Sequence, residues 1–152
     1  MEAALEEARR AEDAGEIPVG AVVVSSAGKE IARGHNATRT GRDPSAHAEI
    51  VALRRACAFL KSDRLPYCDI YVTLEPCPMC AQALSFARIR RVYFGAYDVK
   101  GGGTESGAQI FRQKTCFHVP EVYGGLLEKK CAAALSTFFR ERRRRQRGSI
   151  TT

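Results

Sequence analysis

Apolar residues at Ala4, Leu5, Ala8 and Ala11, set among charges, predict a helix over Glu2–Ala14, with Gly15 as its stop. Gly20–Ser25 is a continuous apolar run rich in valine, the pattern of a buried strand. Ala27-Gly28 marks a turn, and Glu30–His35 returns as an antiparallel hairpin partner. Residues 36–44 are polar and turn-rich, so they read as a loop. Asp43-Pro44-Ser45 is a helix-start signal, and helical periodicity follows over Ala46–Leu60. Asp69–Leu74 reads as a strand, Pro78–Ala87 as a helix and Arg91–Ala96 as a strand. Strand, helix and strand in so short a stretch form a βαβ unit, whose strands are expected to be parallel with a right-handed crossover. Residues 98–119 are weakly patterned, and Gly101-Gly102-Gly103 predicts a flexible start to that loop. Ala132–Phe139 carries the apolar face of a last helix that runs out into arginines. There is no internal repeat. The pattern predicts an α/β fold: a mixed sheet with helices on both faces.

Composition sharpens this picture in three ways. The chain of 152 residues suits one domain, 1–152, with a basic helix and tail from about residue 128. At that length a chain buries about 68–70% of its unfolded surface, enough to fold without a disulfide scaffold. No apolar run is long enough to span a bilayer, and Met1–Arg10 lacks the apolar stretch of a signal peptide. With no secretory signal, the six cysteines read as metal ligands or buried spectators, and a cytoplasmic location is expected. The formal charge of +7 is concentrated in Arg140–Arg147, which favours an acidic partner such as nucleic acid.

The chemistry is concentrated in two runs: His47-Ala48-Glu49 and Pro76-Cys77-Pro78-Met79-Cys80. One imidazole and two thiols are one ligand short of a closed zinc tetrahedron, as in a catalytic site. Cys77 and Cys80 are three apart, which puts both thiols on one face at a helix start. Pro78 suits the first turn, and the positive end of the helix favours thiolate. His47 and Glu49 are two apart and do not share a helix flank, but they converge over an open helix end. The expected site therefore lies between two helix N-termini. Zinc lowers the pKa of a water from ~16 to about 7. Glu49 is spare, so it is the candidate to accept the water's proton, pass it to a ring nitrogen and then assist the departure of ammonia. Other readings of the same residues are a redox dithiol, or a structural zinc site completed by His35, His118 or Cys116, with Glu49 a solvated helix carboxylate.

These motifs and their flanks resemble the bacterial tRNA-specific adenosine deaminases, within the zinc-dependent cytidine and deoxycytidylate deaminase superfamily. The resemblance is carried by Pro18–Val24, Gly34-His35-Asn36, Asp43–Ile50, Tyr71–Ala81, Arg88–Ala96 and Phe138-Phe139-Arg140. It implies a three-layer sandwich with a mixed five-stranded sheet, cytidine deaminase-like. It implies one Zn²⁺ per subunit, held by His47, Cys77 and Cys80, with Glu49 catalytic. The implied reaction is hydrolysis of adenosine to inosine at the wobble position of the anticodon stem-loop, in an arginine tRNA. A homodimer is implied too. Asn36 would hydrogen-bond the flipped base, Ala48 would join substrate binding, and Asp98 would lie near the nucleotide backbone. Tyr97 and Gly101-Gly102-Gly103 depart from the family pattern. The superfamily motif also occurs in deaminases of free bases and nucleotides of the guanine or cytosine type, which is the first alternative. A non-catalytic zinc RNA-binding module is the second.

At the C-terminal end, Phe138, Phe139, Arg140, Arg142, Arg143, Arg144 and Arg145 could bind the anticodon stem, with bases on aromatics and arginines on phosphates. The opposing expectation is that at least one phenylalanine belongs to the core.

Overall fold

The computed structural model describes residues 1–149; residues 150–152 of the expected tail lie outside the described residues. Five strands form one sheet in the order β2-β1-β3-β4-β5. They are β1 Gly20–Ser25, β2 Glu30–His35, β3 Cys68–Leu74, β4 Arg91–Ala96 and β5 Glu121–Tyr123. The β1/β2 and β1/β3 pairs are antiparallel, and β3/β4 and β4/β5 are parallel, so the sheet is mixed as expected. Four α-helices flank it: α1 Glu2–Asp13, α2 Ala48–Leu60, α3 Pro78–Phe86 and α4 Glu128–Gly148.

The three layers follow from strand alternation. Ala21, Val23, Ile70, Val72, Val92 and Phe94 point to one face and pack with Ala48, Ala52, Leu53 and Ala56 of α2 and Leu84 of α3. Burying a large apolar side chain of this kind contributes about 1.5–3 kcal/mol. On the other face α1 lies on β1 and α4 on β4. Ala4, Leu5, Ala8 and Ala11 are all buried, so the predicted stripe of α1 is its packing face. Gly15, in the left-handed region at φ 77°, turns the chain out of that helix.

Two features differ from the expected pattern. The helix expected from Ala46 begins at Ala48, because Asp43 closes a turn of its own, accepting from the Ser45 N–H at 2.9 Å and the Ser45 hydroxyl at 2.6 Å. That leaves His47, in extended conformation, as the N-cap. Strand β5 has no counterpart in the patterning, since it is three residues between Pro120 and Gly124 and exists only as the parallel partner of β4. Among the described residues, no helix is long and apolar enough to cross a membrane.

Candidate active site

Both motifs sit where a chain segment enters a helix at one end of the sheet. Chain direction alternates there, so the start of β1 and the ends of β2, β3 and β4 meet at one edge. His47 is the N-cap of α2 and Cys77 the N-cap of α3, with Pro78 opening the helix and Cys80 in its first turn. Two helix N-termini face one point, as the spacing predicted. His47 Nδ1 lies 3.5 Å from Cys77 Sγ and 3.5 Å from Cys80 Sγ. Those are the edges of a tetrahedron: ligands ~2.1 and ~2.3 Å from a zinc ion stand about 3.6 Å apart. The residues present thus fit a zinc ion. Among the described residues this is the only His/Cys/Asp/Glu group so converged.

The expected completions of a closed site are elsewhere. His35 Nδ1 is 2.9 Å from buried Glu7, His118 Nε2 is 2.7 Å from the Ile89 carbonyl, and Cys116 lies 3.3 Å from the Ser85 hydroxyl. No fourth protein ligand is supplied by any of them.

Burial and close contact shift all four ionisable groups of this cluster. Glu49 is 4% exposed; burial, with the negative Cys77 sulfur beside it, pushes its carboxyl up to about 7. The hydrogen bond from Cys80, aided by His47, pulls Cys77 down to about 4, while donation to that thiolate, together with burial, holds the Cys80 thiol up. His47 is raised by the Cys77 thiolate it touches.

Above the cluster opens a cleft of about 180 Å³, lined by Ile17, Val19, Asn36, Thr38, His47, Glu49, Leu74, Glu75, Cys77 and Asp98. It is smaller than the ~300 Å³ of an ordinary ligand pocket, a size for one planar base. Asn36 is held by its Oδ1, which accepts from the Ala48 N–H at 2.9 Å, leaving its amide NH₂ for a ligand. Ala48 itself is fully buried.

Residues 1–96 match the family described as the cytidine and deoxycytidylate deaminase zinc-binding region. A tRNA-specific adenosine deaminase of Agrobacterium fabrum is 57% identical over 94% of this chain and 93% of its own length. One from Bacillus subtilis is 43% identical over 98% and 92%. This chain belongs to the tRNA-specific adenosine deaminase family. A solved structure from work on A-to-I editing by tRNA:A34 deaminases at the wobble position of transfer RNA superposes with TM-score 0.87, at 56% identity over 89% of this chain and 97% of that one. A guanine deaminase from Nitrosomonas europaea shares the fold at TM-score 0.78, but with 26% identity over 90% and 81%. As a deaminase of this family the chain is a zinc-dependent hydrolase.

The structure brings Asn36, His47, Ala48, Glu49, Cys77, Cys80 and Asp98 to the cleft or its immediate wall. It keeps the C-terminal residues apart from it. Neither Phe138 nor Phe139 belongs to the buried core, contrary to the core expectation, because α4 outruns the sheet. Phe138 and Arg142 line a separate cleft of about 470 Å³ with Arg39 and Arg145, while Phe139 and Arg140, Arg143 and Arg144 are exposed. Sequence reasoning missed two buried carboxylates. Glu16 accepts from the Arg39 and Thr40 N–H groups at 2.9 and 2.7 Å and fixes the loop that carries Thr38 into the cleft. Glu75 ties down the opposite wall. Nothing local flags Glu16, whereas the place of Glu75 beside Pro76-Cys77 is a signal in principle. The glycine run 101–103, expected to be flexible, is packed: the Gly103 N–H donates to the Pro76 carbonyl at 2.7 Å.

Proposed function

We propose that this chain deaminates adenosine to inosine at the wobble position of a tRNA anticodon, with Glu49 as the single acid–base group. The supporting observation is geometric: a buried Glu49 carboxyl beside an incomplete tetrahedron of His47, Cys77 and Cys80. Those three residues would hold zinc, which when bound supplies an acidified water. Glu49 takes one proton of that water and hands it to the ring nitrogen as the water oxygen bonds to the amino-bearing carbon; it then moves the remaining proton of that oxygen to the amino group, which leaves as ammonia when its carbon–nitrogen bond breaks. Adenosine and water thereby become inosine and ammonia. The Asn36 amide reads the edge of the flipped base, and Ala48 serves recognition by fixing Asn36. Asp98, at the cleft mouth, lies beside the nucleotide backbone. Phe138 and Phe139 with Arg140, Arg142, Arg143 and Arg144 extend the RNA surface along α4, the exposed arginines facing phosphate.

A homodimer is part of the same proposal. Met79 and Phe86 of α3 are exposed, as are Phe117 and Val119 of the segment that Ser85 ties to α3. This apolar patch beside the site is suited to a second copy, and Phe86→Asp is expected to yield a monomer by sedimentation. The cytoplasm, where tRNA resides, is the proposed location.

The deciding assay is a stem-loop carrying a wobble adenosine, scored for inosine, with arginine tRNA as the full-length substrate. Inosine is expected, with far slower turnover of free adenosine or guanine. A folded, zinc-loaded protein that makes none defeats the proposal, and comparable turnover of free guanine transfers it to the base-deaminase reading.

A further inference from the structure

Deamination needs one acid–base carboxylate, and Glu49 supplies it, so Glu75 has no proton to carry. Yet Glu75 is 2% exposed at the wall of the same cleft. A buried carboxylate is costly unless donors fill its lone pairs. Here all the donors come from one segment. Oε1 accepts from the Thr104 hydroxyl at 3.1 Å and from the Glu105 and Ser106 N–H groups at 3.0 and 2.7 Å. Oε2 accepts from the Asp98 N–H at 3.0 Å and the Ser106 hydroxyl at 2.9 Å.

Residues 98–106 contain neither helix nor strand, so no ladder of their own holds them. Their remaining bonds tighten the same arrangement. The Gly102 N–H donates to the Asp98 carbonyl at 2.8 Å, and the Gly101 N–H to Asp98 Oδ1 at 2.8 Å. A Cβ on Gly102 would stand 2.6 Å from Glu75 Cδ, so a glycine there is what lets the loop backbone close over the carboxylate.

We infer that Glu75 is a positioning residue for the reaction: its carboxylate anchors the 98–106 loop as a wall of the catalytic cleft and thereby sets Asp98 at the nucleotide. This rests on the proposed role of Asp98. Glutamine keeps the shape but offers one acceptor oxygen and turns an NH₂ toward N–H donors, so it cannot replace the anchor.

The test pairs steady-state kinetics on the wobble-adenosine stem-loop with amide hydrogen exchange on the zinc-loaded protein. Glu75→Gln is expected to keep its zinc and to exchange rapidly at Asp98, Glu105 and Ser106. Its kcat/KM should fall about 10²-fold, the scale of an ångström of misplacement, with Glu75→Asp recovering part of the loss. In an Asp98→Ala background the same change should cost well under that factor, because the two act as one unit. If Glu75→Gln does not fold, Thr104→Val with Ser106→Ala carries the test, with a loss of roughly 10-fold on the same logic. Unchanged exchange and kcat/KM overturn the inference, as does a full multiplicative loss with Asp98→Ala. Exchange needs no substrate. Failure of the deaminase reading therefore shows as no inosine from the wild type, and failure of this inference as normal inosine with unmoved amides.

Discussion

His47 and Glu49 divide the labour of one helix turn. As N-cap, His47 leaves the helix with extended backbone and turns Nδ1 to the two sulfurs, while Glu49, inside the first turn, is buried beside them. Glu49→Gln should therefore lower kcat on a stem-loop by about 10³-fold or more, with zinc content by atomic absorption unchanged. Loss of zinc along with activity would instead make Glu49 a structural group. Gly103 is constrained differently: a Cβ there would lie 2.4 Å from the Pro78 nitrogen, backbone that opens α3. Gly103→Ala should cost about 1–3 kcal/mol, several degrees in Tm, and weaken zinc retention. Calorimetry with a metal chelator titration reads both. His47, Glu49, Cys77 and Cys80 were legible from residue type and spacing. Glu16 was not, and Glu75 was marked only by its place beside Pro76-Cys77, since a glutamate is ordinarily a surface residue and only the folded loops supply the N–H donors that make these two otherwise.

At the scale of elements, α4 shows how far a pattern can be trusted. Its apolar stretch and arginine run were legible, but the helix extends over Glu128–Gly148, and its second half leaves the sheet. Phe138 is therefore at a cleft with Arg39 and Arg142 rather than in the core. Arg142, Arg143, Arg144 and Arg145 are exposed along this half. Changing all four to glutamine should weaken tRNA binding and flatten its salt dependence, by about 0.7 in log–log slope for each single-strand phosphate that is no longer neutralised. Zinc content and Tm should hold. Filter binding across a salt series checks it, and an unmoved slope would remove α4 from the RNA surface. Strand β5 was illegible for the opposite reason: three residues carry no period, and only the Arg91–Glu121 pairing beside β4 gives them a place.

For the molecule as a whole, the walls of the cleft are held by carboxylates that must stay ionised. Burial pushes Glu75 up, but the Ser106 and Asp98 N–H donors outweigh it and hold the carboxyl below its usual 4.5. Glu16 behaves alike, burial being outweighed by the Thr40 and Arg39 N–H groups. A carboxyl lowered on folding stabilises the native state above its unfolded pKa, and that contribution fades as pH falls through the folded value. Stability should thus drop steeply below about pH 4.5, and the Glu75→Gln and Glu16→Gln proteins, already weaker at neutral pH, should lose less over that window. Denaturant unfolding at stepped pH checks this; parallel curves for variant and parent would discount both carboxylates. By itself the sequence determined the elements, the chemistry of the metal donors and the presence of a spare carboxylate, because periodicity, capping and ligand spacing are local properties. Tertiary structure decided what encloses that chemistry: which strand ends meet, which loop carboxylates face N–H donors, and where α4 leaves the core. Those depend on backbone groups brought together from distant parts of the chain, and no local pattern encodes them.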